Sequence, residues 1–381
     1  VSLQLENISL SVDGQRHIHA TSLTLEKSTM NVLLGPTLSG KTSLMRLMAG
    51  LDMPTSGRIL WNGKDVTKTR VQDRDIAMVY QQFINYPSMS VYENIASPLR
   101  IMRKSQNEID KAVKKSADLM KLGPYLHRKP LELSGGQQQR CALARALVKE
   151  SGLVLLDEPL ANLDYKLREE LRAEIPKIFA ESGAIFVYAT TEPEEALLLG
   201  GNTATLHQGT ITQFNKTNQV YHQPQDTITA KTFSNPPMNF LKLTKEGSSI
   251  TLGDKAHINS ETKSLDIDKG STDRHELTTV DHFKHLPDGD YIAGFRSNHL
   301  ELHRHNPQSI AFTTTLDITE ITGSETFLHM NYDNDHWVGL VHGVHDLALG
   351  EKLEVFLDPS HIYTFGLDGN IVASASYAKG I

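Results

Sequence analysis

The stretch "GPTLSGKT", residues 35–42, decides how the rest of the chain is read. It satisfies G-x-x-x-x-G-K-[ST], follows the apolar run "NVLLG" and opens onto the helical pattern "TSLMRLMAG". A strand feeding a glycine-bounded loop and then a helix aims backbone N–H groups and the positive helix end at one point, which suits phosphate. Gly35 and Gly40 allow the loop through Pro36, Thr37, Leu38 and Ser39 to curl around β- and γ-phosphates. Lys41 then supplies a point charge, Thr42 offers a hydroxyl to Mg2+, and Ser43 is a further donor at the helix start.

Two downstream runs extend this reading. In "LVLLDEP" an apolar strand ends in Asp157 and Glu158, a carboxylate pair that is costly there unless it meets a cation or a reacting water. Asp157 is expected to orient the Mg2+ shell, and Glu158 to act as the base on the water that attacks the γ-phosphate. In "LSGGQQQR" a Ser-Gly-Gly turn precedes the helix "CALARALVKE", so a second anion-binding turn is expected at Ser134, Gly135, Gly136 and Gln137.

Around these motifs the chain divides. Residues 1–34 read as alternating strands, 56–80 as short strands around the turn "WNGKD", and about 82–150 as a mostly helical lobe in which one helix closes on Gly123. The α/β pattern resumes with "GLVLLDEP", the helix "YKLREELRAEIPKIFAES" and the strand "AIFVYAT", a parallel unit whose strand ends are where ligands sit. The two prolines of "SNPPMNF" place a boundary near 234, giving a nucleotide-binding domain over 1–233. Beyond it, short strands with Gly and Asp turns predict a small β-barrel or sandwich-like domain over 234–381.

Composition excludes several classes. With 45 acidic and 38 basic residues the net charge is −7, which argues against nucleic acid as the main partner. The longest apolar runs fall short of the ~20 residues that a spanning helix needs, so no membrane crossing is expected. The first residues do not show signal-peptide order. The single cysteine, Cys141, reads as a small buried packer on a helix. His303 and His305 of "HRH" would share one strand face, but without a third ligand they read as solvated surface, and "KAVKKSADLMK" reads as a solvated helix face. Trp61 and Trp337 read as packing aromatics.

With the phosphate loop, Gln81 in "MVYQQFINYP", the signature turn, "LVLLDEP" and "ANLD" in this order, the chain resembles the ATP-binding subunits of ABC transporters over essentially its whole length. The resemblance implies an α/β P-loop NTPase with a parallel-sheet core, an antiparallel β subdomain, a helical subdomain and a C-terminal all-β, OB-like regulatory domain. It implies that ATP and Mg2+ are bound and that Ser134 to Gln137 faces the phosphate loop of a second ATPase subunit. Asp164 would lie in the loop crossing between subunits. Gln81, with Gln82 as the alternative, would touch Mg2+ and the attacking water and sense the membrane partner. The helical lobe would dock two transmembrane permease subunits at the cytoplasmic face of the inner membrane, with a periplasmic solute-binding protein as an indirect partner, and Tyr86 would be a docking aromatic. "YHQPQDTITAKTFSNPPMNF", "GFRSNHLEL", "ITGSETFLHM" and "LDPSHIYTFGLDG" resemble the linker and barrel of importers of sugars, polyols and glycerol phosphate. The run "TTEPEEALLLGG" suggests a glycerol or related polyol importer with two different ATPase subunits. A soluble ABC ATPase of DNA repair or translation is a poorer match, because of the β domain and the negative charge.

Two positions depart from the resemblance. Aligning Glu195 and Ala196 puts Thr191 where relatives carry a histidine against the γ-phosphate, and Thr190 on the preceding threonine. A threonine hydroxyl reaches a phosphate there only through water and does not titrate near neutral pH. Val12 stands where relatives stack an aromatic on adenine, with His17 or His19 as substitutes unless both are simply surface strand residues. An intact signature beside an altered switch implies an asymmetric heterodimer in which this chain's own site hydrolyses poorly.

Overall fold

The computed structural model describes residues 2–161, 163, 165–258, 265–268, 275–278, 283–333 and 335–380, with Asp164 outside that set. Contacts divide the chain into two compact units, Val1–Thr217 and Asn218–Ile381.

The first unit opens with β1 (Ser2–Val12), β2 (Gln15–Glu26) and β3 (Met30–Leu34), followed by α1 (Lys41–Ala49), β4 (Ser56–Trp61) and β5 (Lys64–Asp65). β1 and β2 form an antiparallel hairpin, and β4 adds to β1, giving a four-stranded sheet in the order β2-β1-β4-β5. The turn between β4 and β5 is "NG", with Asn62 at φ 52° and Gly63 at φ 77°, the two positive φ values that a tight hairpin turn requires.

β6 (Ile76–Val79) then leads into the helical lobe of α2 (Val91–Ile101), α3 (Gln106–Leu119) and α4 (Gly135–Leu147). All three helices start at a serine, Ser90, Ser105 and Ser134, whose side chain and the Glu or Gln three residues on cap each other's N–H groups. The helix expected to close on Gly123 ends earlier, at Leu119. Lys121 takes the left-handed conformation at φ 52°, and the Leu122 N–H closes back on Ala117 O at 2.7 Å. Apolar packing sets that end: Met120 and Leu122 are both buried in the lobe core, so the chain turns before the glycine.

The α/β core is completed by β7 (Leu153–Asp157), α5 (Tyr165–Ser182), β8 (Ile185–Thr190), α6 (Pro193–Leu199), β9 (Asn202–His207) and β10 (Thr210–Lys216). The sheet order is β10-β9-β3-β8-β7-β6, parallel except for the last hairpin pair, β9 with β10. Every residue of β7 and β8 is buried, and neighbours alternate between two cores. Val154, Leu156, Phe186 and Tyr188 pack with the lobe helices, whereas Leu153, Leu155, Ile185 and Val187 pack with α1 and the hairpin sheet. That is why these runs are continuously apolar, as strands covered on both faces must be. Cys141 is buried in the first of these cores, where burial pushes its thiol up to about 11.

In the second unit α7 (Thr217–His222) and α8 (Thr227–Thr232) precede β11 (Asn239–Glu246), β12 (Ser249–Ile258), β13 (Leu265–Asp268), β14 (His275–Thr278) and β15 (Gly289–Phe295). β16 (Leu300–Glu301), β17 (Ile310–Ile321), β18 (Glu325–Tyr332), β19 (Asp335–His342), β20 (Lys352–Leu357), β21 (Tyr363–Phe365) and β22 (Ile371–Ala373) follow. They form a seven-stranded and a five-stranded antiparallel sheet around one core that contains Phe295, Phe312 and Trp337, a near-barrel all-β domain. Residues 218–233 belong to this unit by their contacts: Arg296 donates to the carbonyls of Tyr221 (2.5 Å) and Phe233 (2.7 Å), and Ala230 packs with Phe240 and Phe365. His303 and His305 lie beyond the two-residue β16 rather than on a strand face, because the paired strand ends at Glu301, and His305 Nδ1 instead meets Glu301 Oε2 at 2.9 Å. Among the described residues no helix is long and apolar enough to cross a membrane, and no group of three or more His, Cys, Asp or Glu has metal-binding geometry.

Candidate nucleotide site

The site begins where β3 ends. β3 lies between β8 and β9 in parallel register, Leu34 opposite Thr190 and Thr205, so the loop after Leu34 emerges at the carboxyl edge of the sheet. The Gly35 N–H donates to Thr190 O at 3.3 Å, and a Cβ on Gly35 would collide with Leu206 O and the Ser39 side chain. At the other end Gly40 has φ 103°, and a Cβ there would stand 2.9 Å from Ile18 Cδ1. Both glycines are therefore required by close approach, and the loop between them borders an open cleft.

That cleft, about 540 Å3, is lined by Thr37, Leu38, Ser39, Gly40, Lys41, Thr42 and Ser43 from the loop and α1, by Gln81 and Glu158, and by Arg16, His17, Gln208 and Gly209. Lys41 is buried. Its Nζ donates to Gly35 O at 2.7 Å and Pro36 O at 3.1 Å and lies 3.5 Å from Glu158 Oε1. Burial lowers the Lys41 pKa, opposed by the neighbouring carboxylate of Glu158 and then that of Asp157. Thr42 Oγ1 donates to Asp157 Oδ2 at 2.8 Å, and burial raises the Asp157 pKa against that hydrogen bond. Gln81 Nε2 donates to Glu158 Oε2 at 2.9 Å, so residues 77 positions apart meet at the cleft. Glu158 itself sits at φ 44°, with its N–H held by Ala189 O at 3.0 Å. The strand end of β7 is thereby bent so that Asp157 turns under Thr42 while Glu158 turns into the cleft.

These residues fit a magnesium nucleotide. Ser39 Oγ is buried without a hydrogen-bond partner beside the loop. The Lys41 ammonium rests on carbonyl oxygens of the kind that phosphate would replace. One hydroxyl and one carboxylate, with an amide close by, form a sparse oxygen set, as expected for Mg2+, which takes most of its ligands from water and phosphate.

The other expected residues fall elsewhere. Ser134 caps α4: its Oγ accepts from the Gln137 N–H at 3.4 Å while Gln137 Oε1 accepts from the Ser134 N–H at 3.0 Å. Gly135 and Gly136 form the first turn of that helix, and none of the four lines the cleft. Asp164 lies outside the described residues. Thr190 is buried, and Thr191, one residue past β8, is exposed. Val12 is 45% exposed and does not line the cleft, whereas His17 does. Arg16, Gln208 and Gly209 were not among the expected site residues. No local motif announces them, because they arrive from two hairpin ends brought beside Ser39 by the topology.

A second, more apolar groove of about 370 Å3 lies on the lobe, lined by residues that include Phe83, Ile84, Tyr86 and Ile101. Arg145 stacks over the Tyr86 ring at 4.9 Å, leaving that ring 45% exposed.

Comparison with known proteins identifies the family. Residues 18–161 match the family model described as ABC transporter. An sn-glycerol-3-phosphate import ATP-binding protein UgpC of Psychromonas ingrahamii is 32% identical over 96% of this chain and 94% of that protein. Another UgpC, from Ruegeria pomeroyi, is 40% identical over 68% of this chain and 73% of its own length. The trehalose/maltose import ATP-binding protein MalK of Thermococcus litoralis is 33% identical over 91% of this chain and 93% of that protein. Among solved structures, the dimeric ABC transporter cassette MJ0796 matches with a TM-score of 0.51 and 26% identity, covering 56% of this chain and 98% of that one. The same cassette has been solved as a dimer bound to ADP and Pi. The chain belongs to the ABC transporter family of ATP-binding subunits, in the group of the sugar and glycerol-phosphate import proteins.

Proposed function

We propose that this chain binds and hydrolyses ATP as the motor subunit of an importer of a sugar, polyol or glycerol phosphate. The observation that carries the reading is the convergence of Lys41, Thr42, Gln81 and Glu158 on one cleft. Mg2+, when bound, neutralises charge on the β- and γ-phosphates, and Thr42, Asp157 and Gln81 are the residues to hold it. Phosphate oxygens take over the Lys41 ammonium from Gly35 O, Pro36 O and Glu158, which frees the Glu158 carboxylate. Glu158 then accepts the proton of the attacking water, while the 2.9 Å hydrogen bond from Gln81 holds the carboxylate in orientation. Ser134, Gly135, Gly136 and Gln137, at the start of α4, are assigned to the nucleotide of a second ATPase subunit.

The relatives named for sn-glycerol-3-phosphate and for trehalose/maltose import favour the importer class for this chain. Two transmembrane permease subunits are the proposed partners, docked at the groove beside Tyr86, with a solute-binding protein acting through them. The chain then works as a peripheral protein on the cytoplasmic face of the inner membrane. Glycerol is the proposed solute, on the run "TTEPEEALLLGG". Thr191 favours a second reading of the pairing, in which the other ATPase is a different chain and this chain's own site turns over slowly.

The test is co-purification followed by turnover. The reading requires two multi-span membrane proteins to accompany the chain, and Glu158→Gln to abolish or strongly reduce ATP hydrolysis with nucleotide affinity kept. Unchanged hydrolysis and transport in Glu158→Gln would overturn the assignment of this site. A homodimer hydrolysing at the full transporter's rate would overturn the asymmetric pairing alone.

A further inference from the structure

The turns that leave β7 and β8 come from neighbouring strands, and each is tied to the site. Glu158 opens the first, which runs on to Leu163; the Ala161 N–H donates to Glu158 O and the Leu163 N–H to Leu160 O, both at 3.3 Å. The second begins where Ala189 O and Thr190 O accept from the N–H groups of Glu158 and Gly35, at 3.0 and 3.3 Å. The end of β8 therefore holds both the carboxylate residue and the start of the phosphate loop. Thr191 and Glu192 follow it directly.

From the other side this second turn is gripped by α5. Arg168 and Arg172 stand four residues apart and so share one helix face. Each takes one oxygen of the Glu192 carboxylate: Arg168 Nη1 donates to Oε1 at 3.1 Å, and Arg172 Nη2 donates to Oε2 at 2.5 Å. Arg168 Nη2 also donates to Leu163 O at 3.5 Å, so a single guanidinium bonds to both turns. Neither arginine lines the nucleotide cleft.

We infer that Arg168 is a positioning residue for hydrolysis: by joining Glu192 to the Leu163 carbonyl it fixes the turns after β8 and β7 against each other, and through them Glu158. The inference rests on the proposed reading of Glu158 as the base. A guanidinium suits this task because its planar fork presents separate N–H groups in fixed directions, whereas an ammonium is a point charge on a flexible stem. Arg172 has a second load, since it also reaches the buried Glu195 at 3.4 Å, and its removal would strand a buried carboxylate. Arg168 meets only the partly exposed Glu192 and a backbone carbonyl, so its removal acts on geometry more than on folding.

The experiment is steady-state ATP hydrolysis by the assembled transporter, with calorimetric ATP binding and urea denaturation of the full chain alongside. Arg168→Gln is expected to lower kcat about tenfold or more while KM for ATP stays within about twofold, because small misplacements of a reacting group cost rate rather than binding. Arg168→Lys keeps the charge and loses the fork, so it recovers only part of that rate. Glu192→Gln should cost about as much as Arg168→Gln, and the double variant no more than either alone, as expected of two groups acting through one contact. Unchanged kcat in Arg168→Gln, or losses that multiply in the double variant, would overturn the inference. A loss of kcat accompanied by a matching fall in the urea midpoint would also overturn it, by making Arg168 a stability residue. If Glu158→Gln hydrolyses as the wild type does, the reading of the site falls and this inference with it; an inactive Glu158→Gln beside a fully active Arg168→Gln overturns this inference alone.

Discussion

The hydroxyl of Thr190 donates a 2.6 Å hydrogen bond to Glu195 Oε2 and accepts one from the Glu192 N–H at 3.0 Å, closing the turn out of β8. The same carboxylate oxygen accepts from the Tyr188 hydroxyl at 3.0 Å, and Arg172 reaches both Glu192 (2.5 Å) and Glu195 (3.4 Å). Thr191 is therefore held between two anchored neighbours. Thr190 → Glu195 is a structural clamp, and Thr191 is the position that it presents.

Thr190→Val keeps the shape of the side chain and leaves a buried carboxylate oxygen and a turn N–H short of a partner. A loss of about 1–3 kcal/mol in unfolding free energy is expected, measured by urea denaturation. Thr190→Ser keeps the hydroxyl and should lose less than about 1 kcal/mol. A loss in Thr190→Ser with none in Thr190→Val would show that the methyl group, not the clamp, carries the stability.

Thr191→His restores an imidazole at an exposed position without disturbing the clamp beneath it. Steady-state hydrolysis by the assembled transporter should rise or shift between sites, with ATP affinity unchanged. Constant turnover would make Thr191 a bystander.

Lys41→Met removes a cation that rests on Gly35 O and Pro36 O and faces Glu158. Charge-assisted hydrogen bonds to phosphate are lost, so ATP affinity should fall about ten- to a hundredfold by calorimetry. A change of less than about twofold would contradict the role given to this lysine.

The second unit should lose stability in acid. His299 stacks on His361 at 4.2 Å, and both rings lie about the Tyr377 ring, at 4.9 and 5.0 Å. Burial, then the neighbouring His361, Arg296 and His222, pushes His299 from 6.5 down to about 3. His361 and His222 are lowered as well, chiefly by burial; Asp358 and Glu301 oppose the shift at His361, and Arg296 adds to it at His222. Above pH 6.5 the imidazole is neutral folded and unfolded, so it has no effect. Between 6.5 and about 3 the unfolded chain takes up a proton that the folded one refuses, so stability falls by up to about 1.4 kcal/mol per pH unit for this ring. His299→Phe should shrink the difference in urea stability between pH 7.5 and 5.5, followed by the fluorescence of the buried Trp337, by up to that amount. An identical pH difference in both proteins would rule His299 out as a source of the acid sensitivity.

Much of the architecture was legible in the chain itself because it rests on local signals. A serine three residues before Glu or Gln marks the start of each lobe helix, and "NG" marks the β4–β5 turn. The continuous runs at β7 and β8 announce strands covered on both faces. The end of α3 was not legible, because the packing of Met120 and Leu122 outweighs the glycine that would otherwise have stopped it.

The sequence by itself determined the phosphate loop, the carboxylate pair after β7 and the order of motifs, since each depends on spacing within a few residues. Only the tertiary structure decided which of these residues meet. Gln81 reaches Glu158 across 77 positions because β6 and β7 are neighbours in parallel register. Arg16, His17, Gln208 and Gly209 come to one wall because backbone hydrogen bonds tie β2 and the β9–β10 turn to Ser39. Contacts of that kind are made by strand order and chain closure, and no short window of sequence contains them.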